Sequence, residues 1–331
     1  MIENVVFKAT GGIRLDAALL VRFPTTTRAF AREACAEGNV RVDGRPAEKG
    51  RKLRGGETVE VLALAESADN RACPNRAVPV RLVFEDSELL AFDKPAGIPV
   101  QPLSRHETDT LMNGVVARWP EVADVGDGPL MAGALHRIDA DTSGLVLVAR
   151  TQQSFDAMRA QFASRSVEKT YLALVEGAVA AGGTLENDLV HDPSLPYCRM
   201  KVLPPSGNNG NKGFNGDKAF KGTNGVNGLK ADQRPMRAST TFRPLALTHL
   251  GMEEQTLLEV TIRTGVTHQI RAQLAAAGMH IVNDRLYGAF AVENMTGHRL
   301  HALAASFSHP ASGVPCRIET PWPEWALSAM G

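Results

Sequence analysis

The chain has 331 residues, a formal net charge of zero at pH 7, 44% hydrophobic residues and 22% charged ones. That length suggests two domains with a sizeable core, and the composition is that of an ordinary globular protein. Zero net charge neither demands nor excludes a polyanionic partner, so local charge has to decide. Four scattered cysteines (Cys35, Cys73, Cys198, Cys316) without a C-x-x-C pair look like neither a zinc site nor a disulfide framework. The nine histidines contain no H-E-x-x-H, and no long apolar span is present. Met1-Ile2-Glu3-Asn4 lacks the basic and apolar regions of a signal peptide, so the expected location is a reducing cytoplasm.

Leu15, Leu19 and Leu20 have helical spacing, and Phe23-Pro24 follows. Thr25 to Thr27 can cap a second helix that runs to Gly38, which has the position of a C-terminal glycine. Val40-Arg41-Val42, the turn Asp43-Gly44 and the strand Thr58-Val59-Glu60-Val61 complete a small unit with a strong hairpin signal. Residues 1–65 carry eleven Lys and Arg against eight Asp and Glu. Arg41, Arg45, Lys49, Arg51, Lys52 and Arg54 cluster around the hairpin. Such a run is usually a solvated face, but on a unit too small to be an enzyme it gives weight to phosphate binding. Residues 67–79, rich in Ser, Asp, Asn and Pro without periodicity, read as a linker.

Residues 81–86 and 89–92 read as two strands around a short acidic turn. A rigid loop, Lys94-Pro95-Ala96-Gly97-Ile98-Pro99-Val100, follows. The stretch His136-Arg137-Ile138-Asp139-Ala140-Asp141-Thr142-Ser143-Gly144 precedes the apolar run 145–149 and reads as a polar turn feeding a buried strand. Gly144 permits backbone angles that other residues resist. Asp141, Thr142 and Ser143 can bond neighbouring amides and hold the turn. Asp139 then either caps the turn, as most loop aspartates do, or is an acid aimed from a rigid mount. A kinase catalytic loop is excluded, because the following Asn, the Gly-rich loop and Asp-Phe-Gly are all missing.

Thr151 can cap a helix in which Phe155, Met158 and Phe162 recur. Glu168 to Val175 is a strand with Tyr171, Ala173 and Val175 facing one way; a Tyr there is more often core than chemistry. Thirteen of residues 206–230 are Gly or Asn, and residues 201–237 carry seven Lys or Arg against two Asp. This reads as an insertion within the domain, favoured as a solvated linker over an arm touching RNA phosphates. Residues 257–262 form a strand. A helix from Thr267 buries Ile270, Leu274 and Ala277 and stops at Gly278. Arg271 lies one turn inside it; if partly buried, it needs a carboxylate partner.

Five of these blocks, in order, resemble the RluA-type pseudouridine synthase family over nearly all of residues 80–310. They are Leu90 to Pro102 around Lys94-Pro95-Ala96-Gly97, His136 to Asp139 with Thr142-Ser143-Gly144, Glu168 to Val175, Thr267-His268-Gln269-Ile270-Arg271, and Leu300-His301-Ala302 with Phe307-Ser308-His309-Pro310. Residues 14–59 are similar to the small αL RNA-binding domain first recognised in a small-subunit ribosomal protein. The matching pieces include Arg14-Leu15-Asp16, Gly38 to Gly44 and Leu53-Arg54-Gly55-Gly56-Glu57-Thr58-Val59.

The resemblance implies an α+β (mixed α/β) fold. A catalytic domain with a largely antiparallel central sheet, residues 80–331 with an insertion at about 204–235, would follow an αL domain at 1–66. It implies a pseudouridine synthase in which Asp139 is catalytic and Tyr171 stacks on the target base. Arg271 would pair with Asp139 and keep it ionised, since an adjacent cation favours the carboxylate. His136, Arg137, Thr142, His268 and Gln269, with Arg41, Arg45 and Arg54, are the expected RNA-binding residues. The reaction oxidises nothing and releases no group, so no cofactor or metal is expected. The expected partner is structured RNA, ribosomal rather than transfer RNA, bound by a monomer. The family commonly has Arg after Thr-Gly, where this chain has Val266; Arg263 is a candidate stand-in. Two alternatives remain open: an RNA-binding or ribosome-assembly factor on a synthase scaffold with little activity, and a hydrolase using Asp139 with His136, for which no nucleophile or metal-ligand set is found.

Overall fold

The computed structural model describes residues 1–192, 199–203, 234–250, 253–292 and 295–331. The Gly/Asn-rich stretch at 206–230 lies outside the described residues. The chain divides into two compact units, Met1–Val78 with Gln101–Ala132, and Pro79–Val100 with Gly133–Gly331.

In the first unit, β1 (Ile2–Lys8), β4 (Thr58–Leu64), β2 (Val40–Val42) and β3 (Arg45–Pro46) form a four-stranded sheet in that order. Helices α1 (Leu15–Arg22) and α2 (Arg28–Ala36) complete its core, in which Leu15, Leu19, Ala31, Val40, Val59 and Val61 are fully or almost fully buried. The Thr27 hydroxyl accepts from the Phe30 amide and starts α2; such a cap stabilises a helix by about 1 kcal/mol. Asp43 and Gly44 both have positive φ, 50° and 77°, as a tight hairpin turn requires. Strand β1 escapes sequence reading because four of its seven residues are polar or exposed and the strand has a single partner, β4.

Residues 67–79 were expected to be a linker, yet polar bonds tie them to the 101–132 segment. Arg71 Nη1 lies 2.8 Å from Asp124, Asn75 Nδ2 donates to the Thr108 carbonyl at 2.7 Å, and Asn113 Nδ2 donates to the Cys73 carbonyl at 2.7 Å. Asn113 sits on α3 (Leu111–Val116) and is itself fully buried.

The second unit is mixed α and β. Its described strands are β5 (Leu82–Glu85), β6 (Leu89–Lys94), β7 (Ser143–Ala149), β8 (Glu168–Glu176), β9 (Gly183–His191), β10 (Met200–Val202), β11 (Met236–Leu250), β12 (Glu253–Ile262), β13 (Leu300–Ser308) and β14 (Pro315–Glu319). They form one sheet in the order β10-β9-β11-β12-β8-β13-β7-β6-β5, with β14 added beside β13. Every pairing is antiparallel except β13 with β7. The central strands β7 and β8 are buried almost throughout, which is why they read as continuous apolar runs. Helix α4 (Gln152–Ala163) is capped by the Thr151 hydroxyl.

Leu172 and Leu174 of β8 pack with Ala326 and Ala329 of α6 (Glu324–Met330). Because side chains alternate along a strand, Tyr171, Ala173 and Val175 point to the opposite face. Helix α5 (Gln269–Ala276) begins two residues later than expected, because His268 is held in the left-handed region at φ 52°. Among the described residues, no helix is long and apolar enough to cross a membrane.

The turn before β7 is fixed differently from expectation. Thr142 and Ser143 do not spend their hydroxyls on neighbouring amides. They reach across to His298 Nε2 at 2.7 Å and His301 Nδ1 at 2.8 Å. Gly144 has φ 108°, and a Cβ there would lie 2.2 Å from the Ala302 carbonyl oxygen. Gly144→Ala is therefore expected to lower the unfolding free energy by about 3 kcal/mol or more, read as a drop in the urea midpoint. A midpoint within experimental error of wild type would show that the β7–β13 contact is not tight.

Candidate active site

Asp139 lies in the loop entering β7, and its backbone carbonyl accepts from the Thr142 amide at 3.1 Å. Beneath the next residue sits the ammonium of Lys94, which has no exposed surface and donates to the carbonyls of Pro95, Ile98 and Ala140, each at 2.8 Å. The Gly97 amide donates to the same Ala140 carbonyl at 2.9 Å. Burial pushes the Lys94 ammonium down to about 8, opposed by the nearby Asp141 and Asp139. Three bonds to one buried cation turn a loop that would otherwise flex into a fixed mount.

Arg271, in the first turn of α5, is 8% exposed and lies between two carboxylates. Its Nη1 donates to Asp139 Oδ2 at 2.7 Å. Its Nε and Nη2 donate to the two oxygens of Asp284 at 2.7 and 2.8 Å. The bidentate geometry fixes the guanidinium plane as well as its position. Burial works against ionisation of Asp284, but the bonds and charge of Arg271 outweigh it and hold the carboxyl below its ordinary value. Two carboxylates therefore share one guanidinium.

His268 Nε2 lies 3.7 Å from Asp139 Oδ2, and its Nδ1 lies 3.1 Å from the Tyr287 hydroxyl. Burial lowers the proton affinity of this imidazole. The Tyr287 hydroxyl also accepts from the Met200 amide at 2.8 Å, and the Arg271 guanidinium lies 5.2 Å from the Tyr287 ring centroid. Tyr171 is 7% exposed, and burial, reinforced by the charge of Asp139, pushes its phenol well above the usual range. It is an uncharged phenol close enough to feel the charge of Asp139.

Three residues expected to bind substrate are committed inside the fold. His136 accepts from the Leu147 amide at 3.1 Å and packs on Phe162; burial holds it neutral, with its pKa down at about 3. Gln269 is 3% exposed. Its oxygen accepts from Thr264 Oγ1 and the Val266 amide, and its nitrogen donates to the Ser239 carbonyl and Thr240 Oγ1. Thr142, 2% exposed, is bound to His298. Arg137 is exposed and close enough for its charge to act on His268. In the first unit Arg45 and Arg54 are exposed and Arg41 is half-buried, with a buried Nε that lacks a partner. Val266 packs in the apolar cluster around Tyr287 and Met200, and Arg263 is occupied by Glu168 at 2.8 Å.

Asp284, Tyr287 and His298 were not singled out from sequence, and Lys94 was named only as part of the Lys94-Pro95-Ala96-Gly97 loop. The requirement that a buried Arg find a carboxylate was answered in the resemblance by Asp139, and nothing local marked Asp284 as a second partner. Glu33, Glu37 and His106 bring three possible ligand atoms within 4.8 Å of one another. Glu33 is already bonded to His106 and lies 3.4 Å from Arg105 Nη2, a competing cation.

His136, His298 and His301 all sit neutral in the fold, burial pushing them to about 3, 4 and 4. Their folded values lie below the ordinary histidine value, so the unfolded chain binds more protons as pH falls through about 6.5. Stability present at pH 7.5 should be lost progressively toward pH 4. The urea midpoint at pH 5 is expected below that at pH 7.5; an equal or higher midpoint would contradict neutral burial of these rings.

A family model described as RNA pseudouridylate synthase matches residues 88–276, and one described as S4 domain matches residues 13–59. The chain is 33% identical to ribosomal large subunit pseudouridine synthase D of Xanthomonas campestris, over 97% of this chain and 89% of that protein. It is 31% identical to the protein of the same name from Nitrosomonas europaea, over 98% and 85%. In fold it is similar to the solved structure of human RNA pseudouridylate synthase domain containing 1, with a TM-score of 0.55, 20% identity, and coverage of 76% of this chain and 86% of that one. The chain belongs to the RNA pseudouridylate synthase family and carries an S4 domain near its N-terminus.

Proposed function

We propose that this enzyme isomerises uridine in RNA of the large ribosomal subunit, with Asp139 as the catalytic carboxylate. The observation that carries the assignment is the 2.7 Å pair between Asp139 and the buried Arg271, on a loop clamped from below by Lys94. The names of the relatives support large-subunit ribosomal RNA as the substrate.

The isomerisation breaks the bond between ribose carbon 1′ and uracil N1 and forms one between carbon 1′ and uracil carbon 5. Carbon 5 gives up its proton and N1 gains one, so atoms and electrons balance. The chemistry calls for an aimed carboxylate, a water-excluding pocket and a surface that keeps the detached base in place. Asp139 is aimed by Arg271. Tyr171, an uncharged aromatic ring within reach of the charge of Asp139, suits the stacking role. The target uridine must leave its stack, at a cost of a few kcal/mol. Phosphate contacts by Arg41, Arg45 and Arg54 of an N-terminal RNA-binding domain, residues 1–66, would offset that cost. Of the residues around the site, exposed Arg137 can meet substrate, His268 sits between Asp139 and Tyr287, and His136, Thr142 and Gln269 hold the scaffold.

Tritium release from in vitro-transcribed large-subunit RNA labelled at uracil carbon 5 tests this reading. Wild type should release tritium, and Asp139→Asn, which keeps the shape and loses the charge, should fall by about 10⁴-fold or more. Release by both proteins would remove Asp139 from the chemistry. Release by neither, with tight binding of the RNA, would favour an RNA-binding factor on a synthase scaffold.

A further inference from the structure

The substrate proposed above is a polyanion, and a site that holds two carboxylates must meet its phosphates with cations. Arg271 cannot meet them, because Asp139 and Asp284 already hold its guanidinium. Three other arginines of the second unit are similarly taken, Arg263 by Glu168, Arg237 by Glu186 and Arg243 by Glu259, whereas Arg137 is exposed near His268. Arg199 differs. Among the described residues no carboxylate pairs with it, and its guanidinium lies 5.4 Å from the centroid of the Tyr287 ring, the same ring that Arg271 approaches at 5.2 Å.

The peptide that follows Arg199 is held at both its oxygen and its nitrogen. Its carbonyl accepts from the Asp192 amide at 2.8 Å. The next residue, Met200, is 2% exposed and donates its amide to the Tyr287 hydroxyl at 2.8 Å. That hydroxyl also meets His268, whose other ring nitrogen is 3.7 Å from Asp139. Arg199 is thus one aromatic ring away from the Asp139–Arg271 pair, half-buried and held in place. A guanidinium over an aromatic face keeps its in-plane N–H donors available, and those donors match two oxygens of a phosphate.

We propose that Arg199 binds a backbone phosphate of the RNA next to the uridine presented to Asp139. The proposal rests on the synthase reading and names how that site tolerates a polyanion. Arg199 acts in binding, not in bond making.

The test is the tritium-release assay on the labelled large-subunit transcript, run across a KCl series with wild type, Arg199→Ala and Arg199→Lys. Loss of one charge-assisted phosphate contact should raise KM about tenfold in Arg199→Ala, with kcat within about twofold of wild type. The dependence of log kcat/KM on log salt should become shallower by about 0.7–0.9. Arg199→Lys, which keeps the charge, should retain the wild-type slope and recover most of the KM. Unchanged KM and slope in Arg199→Ala would overturn the proposal. So would a fall in kcat at unchanged slope, which would make Arg199 a prop for Tyr287. If wild type releases no tritium, the synthase reading fails by itself. Filter retention of the same transcript across the KCl series then decides the contact: a shallower slope for Arg199→Ala supports it, and an equal slope overturns it.

Discussion

A buried guanidinium cannot be left unpaired, and that constraint organises the second unit. Arg271 sits on a helix whose first turn is buried on nearly every side, so its charge must be answered by acids brought from elsewhere in the chain. Asp284 answers it with both oxygens and sets the plane of the guanidinium. Asp139 then meets the remaining edge in one orientation only. Breaking such a buried pair by removing one partner typically costs about 3–5 kcal/mol, so the arrangement constrains folding by itself.

The sheet supplies the other half of the aim. Strand β7 is pinned to β13 by a parallel pairing at His301 and Ala302, by the approach of Gly144 to Ala302, and by the hydroxyls of Thr142 and Ser143 on two buried histidines. Lys94 closes the loop from below. Polar residues that look like substrate contacts in sequence are used here as braces. Gln269, for example, ties the 264–266 loop to β11, and His136 completes the hydrogen bonding of β7.

Much of this was legible in sequence where a structural rule is local. The apolar runs of β7 and β8, the Thr caps of α2 and α4, and the Asp43-Gly44 turn all express themselves within a few residues. Asp139, Tyr171 and Arg271 stood out because each lies in a short, dense motif. Long-range facts did not show. Asp284 lies thirteen residues beyond Arg271 and past the helix end, in a loop that reads like any other. Strands β9 and β11 pair with each other across the Gly/Asn-rich stretch, so neither announces its partner locally. The direction a polar side chain faces was equally hidden: nothing in His136 or Gln269 told scaffold from site.

The central claim is that Arg271 and Asp284 act as one device that aims Asp139. A double-mutant cycle on kcat tests it most directly, with Arg271→Met, Asp284→Asn and the double variant, each first shown folded by urea denaturation. If Asp284 works only through Arg271, the double variant should be no slower than Arg271→Met alone. Additive losses would mean that Asp284 and Arg271 contribute independently, and the account of a shared aiming device would be wrong.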